Sequence, residues 1–305
     1  MQIDQSALAG IFPAFPTPFD ARGEIDLKRL DTLVDALIAG DAAGVVPVGG
    51  TGEYTALSPA ERTRVVSATV DAARGRVPVI AGVVSPGYAE ALETGKRFAD
   101  AGADALLLVT PFYVTPTDAG VRAYFERYRA ALDIPLLLYD IPARTRYATA
   151  PATIAAMAKD DGSIVGMKAC NTDLNAFART VALAGAHMAI LSGDDQLYVH
   201  HVLLGATGGI LTAASLLPRV WSRIHTIAAN GDAAIALREH AWLAPLLDAL
   251  FSESNPGPAK KAFELLGDGL GPVRLPLVAP APLTVERIRA ALHLLPPDWL
   301  PGAAR

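Results

Sequence analysis

Residues 134–168 read IPLLLYDIPARTRYATAPATIAAMAKDDGSIVGMK. Two short apolar runs, IPLLLY from Ile134 and SIVGMK from Ser163, are separated by one turn-and-helix length of chain, and the second ends in a lysine. Apolar runs that alternate with helix-like segments are the signature of βα units around a parallel sheet. The same rhythm extends to both sides. Upstream stand GIFPAF from Gly10, AGVVPV from Ala43, VPVIAGV from Val77 and DALLLV from Asp104, and downstream MAILSG from Met188 and TGGILT from Thr207. Between them lie segments such as LKRLDTLVDALIAG and AEALETGKRFADAG, whose apolar residues recur at helical spacing and whose final glycines suit helix C-caps. Eight runs favour an α/β fold of the closed (β/α)8 TIM-barrel type over an open doubly wound sheet.

After about Pro218 the pattern turns helical, through PRVWSRIHTIAANGD, DAAIALREHAWLAPLLDALFSE, PAKKAFELLGDG and LTVERIRAALHLL. The expected organisation is a catalytic barrel over residues 1–218 followed by a C-terminal helical extension over 219–305. The proline-rich interruptions at 254–260 and 274–284 are short and partly apolar, and they read as ordered connections.

Composition narrows the class. The chain has 305 residues, 51% of them hydrophobic and 19% charged, ample for a large core and too evenly charged for a membrane protein. No stretch reaches the roughly 18 uninterrupted apolar residues of a spanning helix. The opening MQIDQSALAG has no basic segment followed by an apolar one, so no secretory signal is expected and a cytoplasmic location follows. The single cysteine, Cys170, cannot form an internal disulfide, fits a reducing compartment and supplies no metal motif. A net charge of -5 without a basic stripe removes the electrostatic footprint of a nucleic-acid binder. The expected partner is a small molecule.

In a (β/α)8 barrel the active site lies at the C-terminal ends of the strands. There the runs end in Gly49-Gly50-Thr51-Gly52-Glu53, Thr110-Pro111-Phe112-Tyr113, Tyr139-Asp140-Ile141-Pro142-Ala143-Arg144, Lys168, Ser192-Gly193-Asp194-Asp195 and Gly208-Gly209-Ile210. Lys168 follows four apolar or small residues; burial there penalises the ammonium, lowers the pKa and yields an amine able to attack a carbonyl. The bland alternative is a lysine that snorkels to the rim or pairs with a carboxylate. Tyr139 lies one βα unit earlier, on the adjoining strand end, where a phenol either packs or relays protons. Arg144 in the next loop is either a solvated surface residue or a planar fork for a carboxylate. The GGTGE run is either a tight βα turn or a set of backbone N–H groups for an anion. The phosphate-loop spacing is absent, as are H-E-x-x-H and G-x-S-x-G. His200 and His201 are neighbours, pointing about 100° apart on a helix and so unable to share a metal as an i, i+4 pair does. Asp194 and Asp195 read equally well as a helix N-cap.

With these residues in place the sequence resembles the dihydrodipicolinate synthase and N-acetylneuraminate lyase family, from Phe15-Pro16-Thr17-Pro18-Phe19 to the C-terminal helices. The most specific parts are Tyr139-x-Ile-Pro-x-Arg-Thr, Gly166-Met167-Lys168 and Leu191-Ser-Gly-Asp-Asp. The resemblance implies that Lys168 forms an imine with pyruvate or another 2-oxo acid, that Tyr139 shuttles protons together with Tyr113, and that the Gly50-Thr51 amides bind the 2-oxo acid carboxylate. It places Arg144 on the carboxylate of a second substrate, as in the synthase branch, and Ile210 among the substrate-binding residues. It implies chemistry without cofactor or metal, in a homo-oligomer that is a dimer or a tetramer. Three features depart from the synthase pattern: Gly50 stands where a threonine links the two tyrosines, Arg146-Tyr147 replace a glycine and a small or apolar residue, and Ala169-Cys170 follow the lysine. The expected function is a Schiff-base lyase or synthase acting on a 2-oxo acid, with weak condensation of pyruvate and aspartate semialdehyde because Gly50 has no relay hydroxyl. The alternatives are a 2-oxo-3-deoxy sugar acid dehydratase or aldolase, and a non-catalytic 2-oxo acid-binding homologue, against which the retention of both Lys168 and Tyr139 argues.

Overall fold

The computed structural model describes residues 3–160 and 164–300; Ser163, the expected start of the sixth run, lies outside them, as do the ends of the chain. Seven parallel strands form one curled sheet: β1 Gly10–Pro13, β2 Ile80–Val83, β3 Ala105–Val109, β4 Leu136–Asp140, β5 Ile164–Ala169, β6 Ala189–Ser192 and β7 Gly208–Leu211. Their order is β1-β7-β6-β5-β4-β3-β2. The remaining run, Ala43 to Val48, fills the gap between β1 and β2 and makes the ring a TIM barrel. Ala43 and Val46 donate to the carbonyls of Ile11 and Pro13 at 2.7 and 3.0 Å. On the other side Ile80 and Gly82 donate to Val45 and Pro47 at 3.0 and 3.1 Å. It bridges its neighbours only at single points, Ala14 with Val46 and Val45 with Val79, for a local reason: Pro47 has no N–H to give to a ladder, and Val48 turns away with a φ of 50°.

The strands are apolar on both faces because both are buried. On β3, Ala105, Leu107 and Val109 point into the barrel, where they join Phe12, Val46, Ile80, Leu137, Tyr139, Leu191 and Ile210. Leu106 and Leu108 point outward to the layer made with the helices. Those helices begin at polar caps. Asp26, Thr117 and Asp173 each accept backbone N–H groups at a helix start, and Ser58 with Glu61 completes a reciprocal capping box. Gly40 closes the helix Leu27–Ala39 as expected; after Tyr88–Asp100 the C-cap is Ala101, and Gly102 follows it with a φ of 89°.

Beyond the last strand come the helices Pro218–Ala229, Ala233–Leu250, Gly257–Leu265 and Pro282–Leu294. The first packs on β1. No helix among the described residues is long and apolar enough to cross a membrane. The chain beyond Leu250 returns to the barrel: Phe19 donates its N–H to the Leu270 carbonyl at 2.9 Å, and the Arg274 guanidinium bonds the carbonyls of Gly23 and Ala56 and, at 2.7 Å, the Glu61 carboxylate.

The hydrogen bond from Arg274 brings the Glu61 carboxyl down to about 2. An acid with a depressed folded-state pKa stabilises the fold above its unfolded value and loses that contribution as pH falls through the folded one. Thermal melts between pH 5 and pH 2 should therefore show the unaltered protein losing more stability on acidification than Glu61→Gln; parallel curves would remove this ion pair from the acid response.

Candidate active site

The pairing of β4 with β5 builds the centre of the site. A register shift between Leu136 and Leu137 leaves Tyr139 directly opposite Lys168, and Lys168 is in turn opposite Leu191 on β6. Lys168 and Tyr139 are 7% and 5% exposed, so the sequence expectation of a lysine buried beside a tyrosine at one end of the barrel describes their placement. The ammonium lies 4.7 Å from the centre of the phenol ring, so the two groups are direct neighbours. Gly193, just past β6, allows this packing: a Cβ there would fall 2.2 Å from the Cys170 sulfur and 2.8 Å from Cγ of Lys168.

The electrostatics correct one expectation. Burial is the largest influence on Lys168 and disfavours its ammonium, but Tyr139, Cys170 and Asp195 act the other way and hold the group above the usual lysine range. The phenol and the thiol exert that pull only when ionised. Burial raises Tyr139 and pushes Cys170 up to about 12, so near neutral pH the opposing charge is the Asp195 carboxylate. Asp195 is itself buried and raised to about 6 by desolvation, moderated by the N–H groups of Ala213 and Thr212 at 2.6 and 3.3 Å.

The acidic pair thus divides its work. Asp194 accepts the N–H of Leu197 at 2.9 Å and so closes the turn ahead of the short helix Tyr198–Leu203, whose N-cap is Leu197 and not either aspartate. Asp195 instead ties the end of β6 to the chain leaving β7, and its own carbonyl meets Nε2 of His240 at 2.8 Å. His201 is a packed core side chain, stacked on Phe177 with Nδ1 2.8 Å from the Ser192 hydroxyl.

The glycine-rich loop is folded tightly on itself. Val48 and Glu53, at its two ends, both have positive φ, 50° and 58°, a conformation that costs a non-glycine residue roughly 1–3 kcal/mol. A Cβ on Gly52 would lie 2.7 Å from Cα and N of Val48, so the turn requires glycine there. Gly50 is different: it is exposed, and a Cβ on it would meet nothing within 4 Å. The Thr51 hydroxyl is 2.9 Å from that of Thr212 and accepts the Asn255 amide at 2.8 Å, while Thr17 donates to the Gly52 carbonyl at 2.7 Å. Asn255 and Thr212 were not singled out from the sequence. Asn255 stands in the proline-rich stretch at 254–260, where composition points to a connection, and only the path of the chain reveals that it reaches Thr51.

The other expected residues are placed as follows. Arg144 sits on the single helical turn Pro142–Thr145. Its guanidinium is exposed, makes no hydrogen bond or ion pair among the described residues, and lies near enough to Tyr139 to influence the phenol. Ile210 is fully buried in the barrel interior with Tyr139. Tyr113 is not brought to the pair within its own chain: it is 96% exposed, with a φ of 73°, at the tip of the segment after β3.

This barrel has close counterparts in sequence and in structure. The 4-hydroxy-tetrahydrodipicolinate synthase of Methanospirillum hungatei is 40% identical over 286 residues, 93% of this chain and 98% of that protein. That of Acidiphilium cryptum is 40% identical over 283 residues, 93% and 97% of the two chains. Among solved structures, dihydrodipicolinate synthase from Acinetobacter baumannii in complex with pyruvate superposes with a TM-score of 0.90 at 35% identity, over 94% of this chain and 98% of that one. The enzyme from Aquifex aeolicus gives 0.90 at 32%, over 94% and 97%. Residues 7–293 match the dihydrodipicolinate synthetase family as a whole, and the chain belongs to that family.

Proposed function

We propose that this chain is a lysine-dependent synthase that condenses pyruvate with an aldehyde. The observation that carries the reading is the buried pair formed by Lys168 and Tyr139 at matched positions of adjacent strands, with the ammonium 4.7 Å from the phenol ring. In this scheme the Lys168 amine attacks the pyruvate carbonyl, and loss of water from the carbinolamine leaves an imine. Loss of a methyl proton gives the enamine, whose carbon adds to the aldehyde, and water then releases the product and restores the amine. Lys168 must lose a proton before it attacks, and Tyr139 is the group positioned to pass it on. The N–H groups of Gly50 and Thr51 take the pyruvate carboxylate, Arg144 takes a carboxylate of the second substrate, and Ile210 lines the floor. Relatives 36% to 40% identical are named 4-hydroxy-tetrahydrodipicolinate synthases, which supports condensation over sugar acid dehydration or cleavage and over a non-catalytic binder.

A homo-oligomer, dimer or tetramer, completes the reading. Tyr113 and Val114 are 96% and 75% exposed on one loop, and a second copy covering them would account for so much apolar surface beside a strained tyrosine. Light scattering should give a mass of two or four chains, falling toward one in Val114→Asp; a monomeric unaltered protein would refute this part. Tyr113 would then serve as the outer member of the proton relay.

Lys168→Ala should abolish both turnover and borohydride trapping of pyruvate with an unchanged circular dichroism spectrum. Tyr139→Phe should still trap pyruvate but turn over roughly 10²- to 10⁴-fold more slowly. Trapping by the alanine variant would assign the imine to another lysine, and an unchanged rate in the phenylalanine variant would reduce Tyr139 to packing.

Gly50 carries no hydroxyl to link Tyr139 with Tyr113, so condensation with aspartate semialdehyde should be slow, and the open space at Gly50 leaves room for Gly50→Thr to supply the link. The expected result is a clear gain in that activity in Gly50→Thr. Turnover by the unaltered protein within about tenfold, or 1.4 kcal/mol, of an authentic synthase would show that the missing hydroxyl is immaterial.

A further inference from the structure

Glu53 closes the glycine-rich loop in the left-handed conformation, yet it is a carboxylate with almost no exposure. Its partners come from far along the chain. Nζ of Lys260, on the helix Gly257–Leu265, is 2.7 Å from Oε1 of Glu53, and the Arg274 N–H donates to Oε2 at 2.8 Å. Lys260 is equally buried, donates to the Pro272 carbonyl at 2.6 Å and lies 4.1 Å from the centre of the Phe19 ring. The Arg274 guanidinium lies 4.4 Å from the same ring.

Dehydrating two charges offsets most of the attraction between them, so a buried ion pair is a weak source of stability. What it supplies is a fixed geometry. Strained backbone persists only where its surroundings over-determine it, and for Glu53 the over-determination comes from Lys260 and Arg274. The loop between Val48 and Glu53 has little freedom once both ends are set. Its amides at Gly50 and Thr51 are then held in one orientation.

We propose that Lys260 is a positioning residue: through Glu53 it fixes the loop whose backbone N–H groups receive the carboxylate of the 2-oxo acid. This rests on the reading of that loop given above. Lys260 touches neither substrate nor Lys168. Its removal acts on the capture of pyruvate and leaves the later chemistry to Lys168 and Tyr139.

The test uses the full chain and pyruvate as the probe. Lys260→Met alone strands a buried carboxylate and threatens folding, so the informative protein is the double variant Glu53→Gln/Lys260→Met, in which the glutamine oxygen can still accept the Arg274 N–H. Glu53→Gln alone, which leaves Lys260 bonded to Pro272, is read in the same way should the double variant fail to fold. The expected result is a folded protein that needs at least tenfold more pyruvate for half-maximal borohydride trapping and a correspondingly higher KM, with kcat at saturating pyruvate within threefold of the parent. Parent-like half-saturation in a folded variant, or a fall confined to kcat, overturns the proposal. If the unaltered protein does not trap pyruvate, the reading of the loop falls and takes this proposal with it; if it does, a parent-like variant overturns the proposal alone.

Discussion

The register between β4 and β5 is the constraint on which the rest of the site depends. A parallel pair one residue out of step would turn one of the two side chains toward the helices. The shift at Leu136/Leu137 absorbs the mismatch low in the barrel, so that Tyr139 and Lys168 meet at the top, both inside. Their neighbours then have to fit around them. The chain after β6 can pass Lys168 only because residue 193 has no side chain, and Asp195, two residues on, is thereby brought to the N–H groups of Thr212 and Ala213.

A second requirement is charge balance in a space with little water. Lys168 and Asp195 influence one another across the barrel end without a close ion pair. Such an arrangement leaves the lysine free to change its charge during a reaction, which a saturated salt bridge would resist. The opposite solution appears at Glu53 and Lys260, in contact at 2.7 Å. One lysine is balanced at a distance and the other is locked in contact, and each arrangement matches the role proposed for it.

The barrel was readable from the sequence because strands buried on both faces must be apolar throughout, and the runs at Gly10, Asp104, Ile134 and Met188 are unmistakable for that reason. The run at Ala43 was found by the same rule, but its lack of a continuous ladder depends on Pro47 and on the φ of Val48, details below the level of an apolar pattern. Lys168 and Tyr139 stood out as polar groups ending such runs. The direction of the Lys168 pKa did not, because burial can be guessed from a pattern while Asp195 becomes a neighbour only when the barrel closes. Asn255 lies 204 positions from Thr51, and Lys260 is hidden in a helical stretch where a lysine normally faces solvent. Periodicity reports which face of an element is buried and is silent on which distant element returns to cover it.

The segment from Ala43 to Val48 gives the barrel an uneven wall. Seven staves are joined by regular ladders, while this one is stitched to its neighbours by isolated bridges. The glycine-rich loop grows directly out of it. The turn proposed to receive the carboxylate is therefore anchored at its far end, where Glu53 meets Lys260 and the Arg274 N–H.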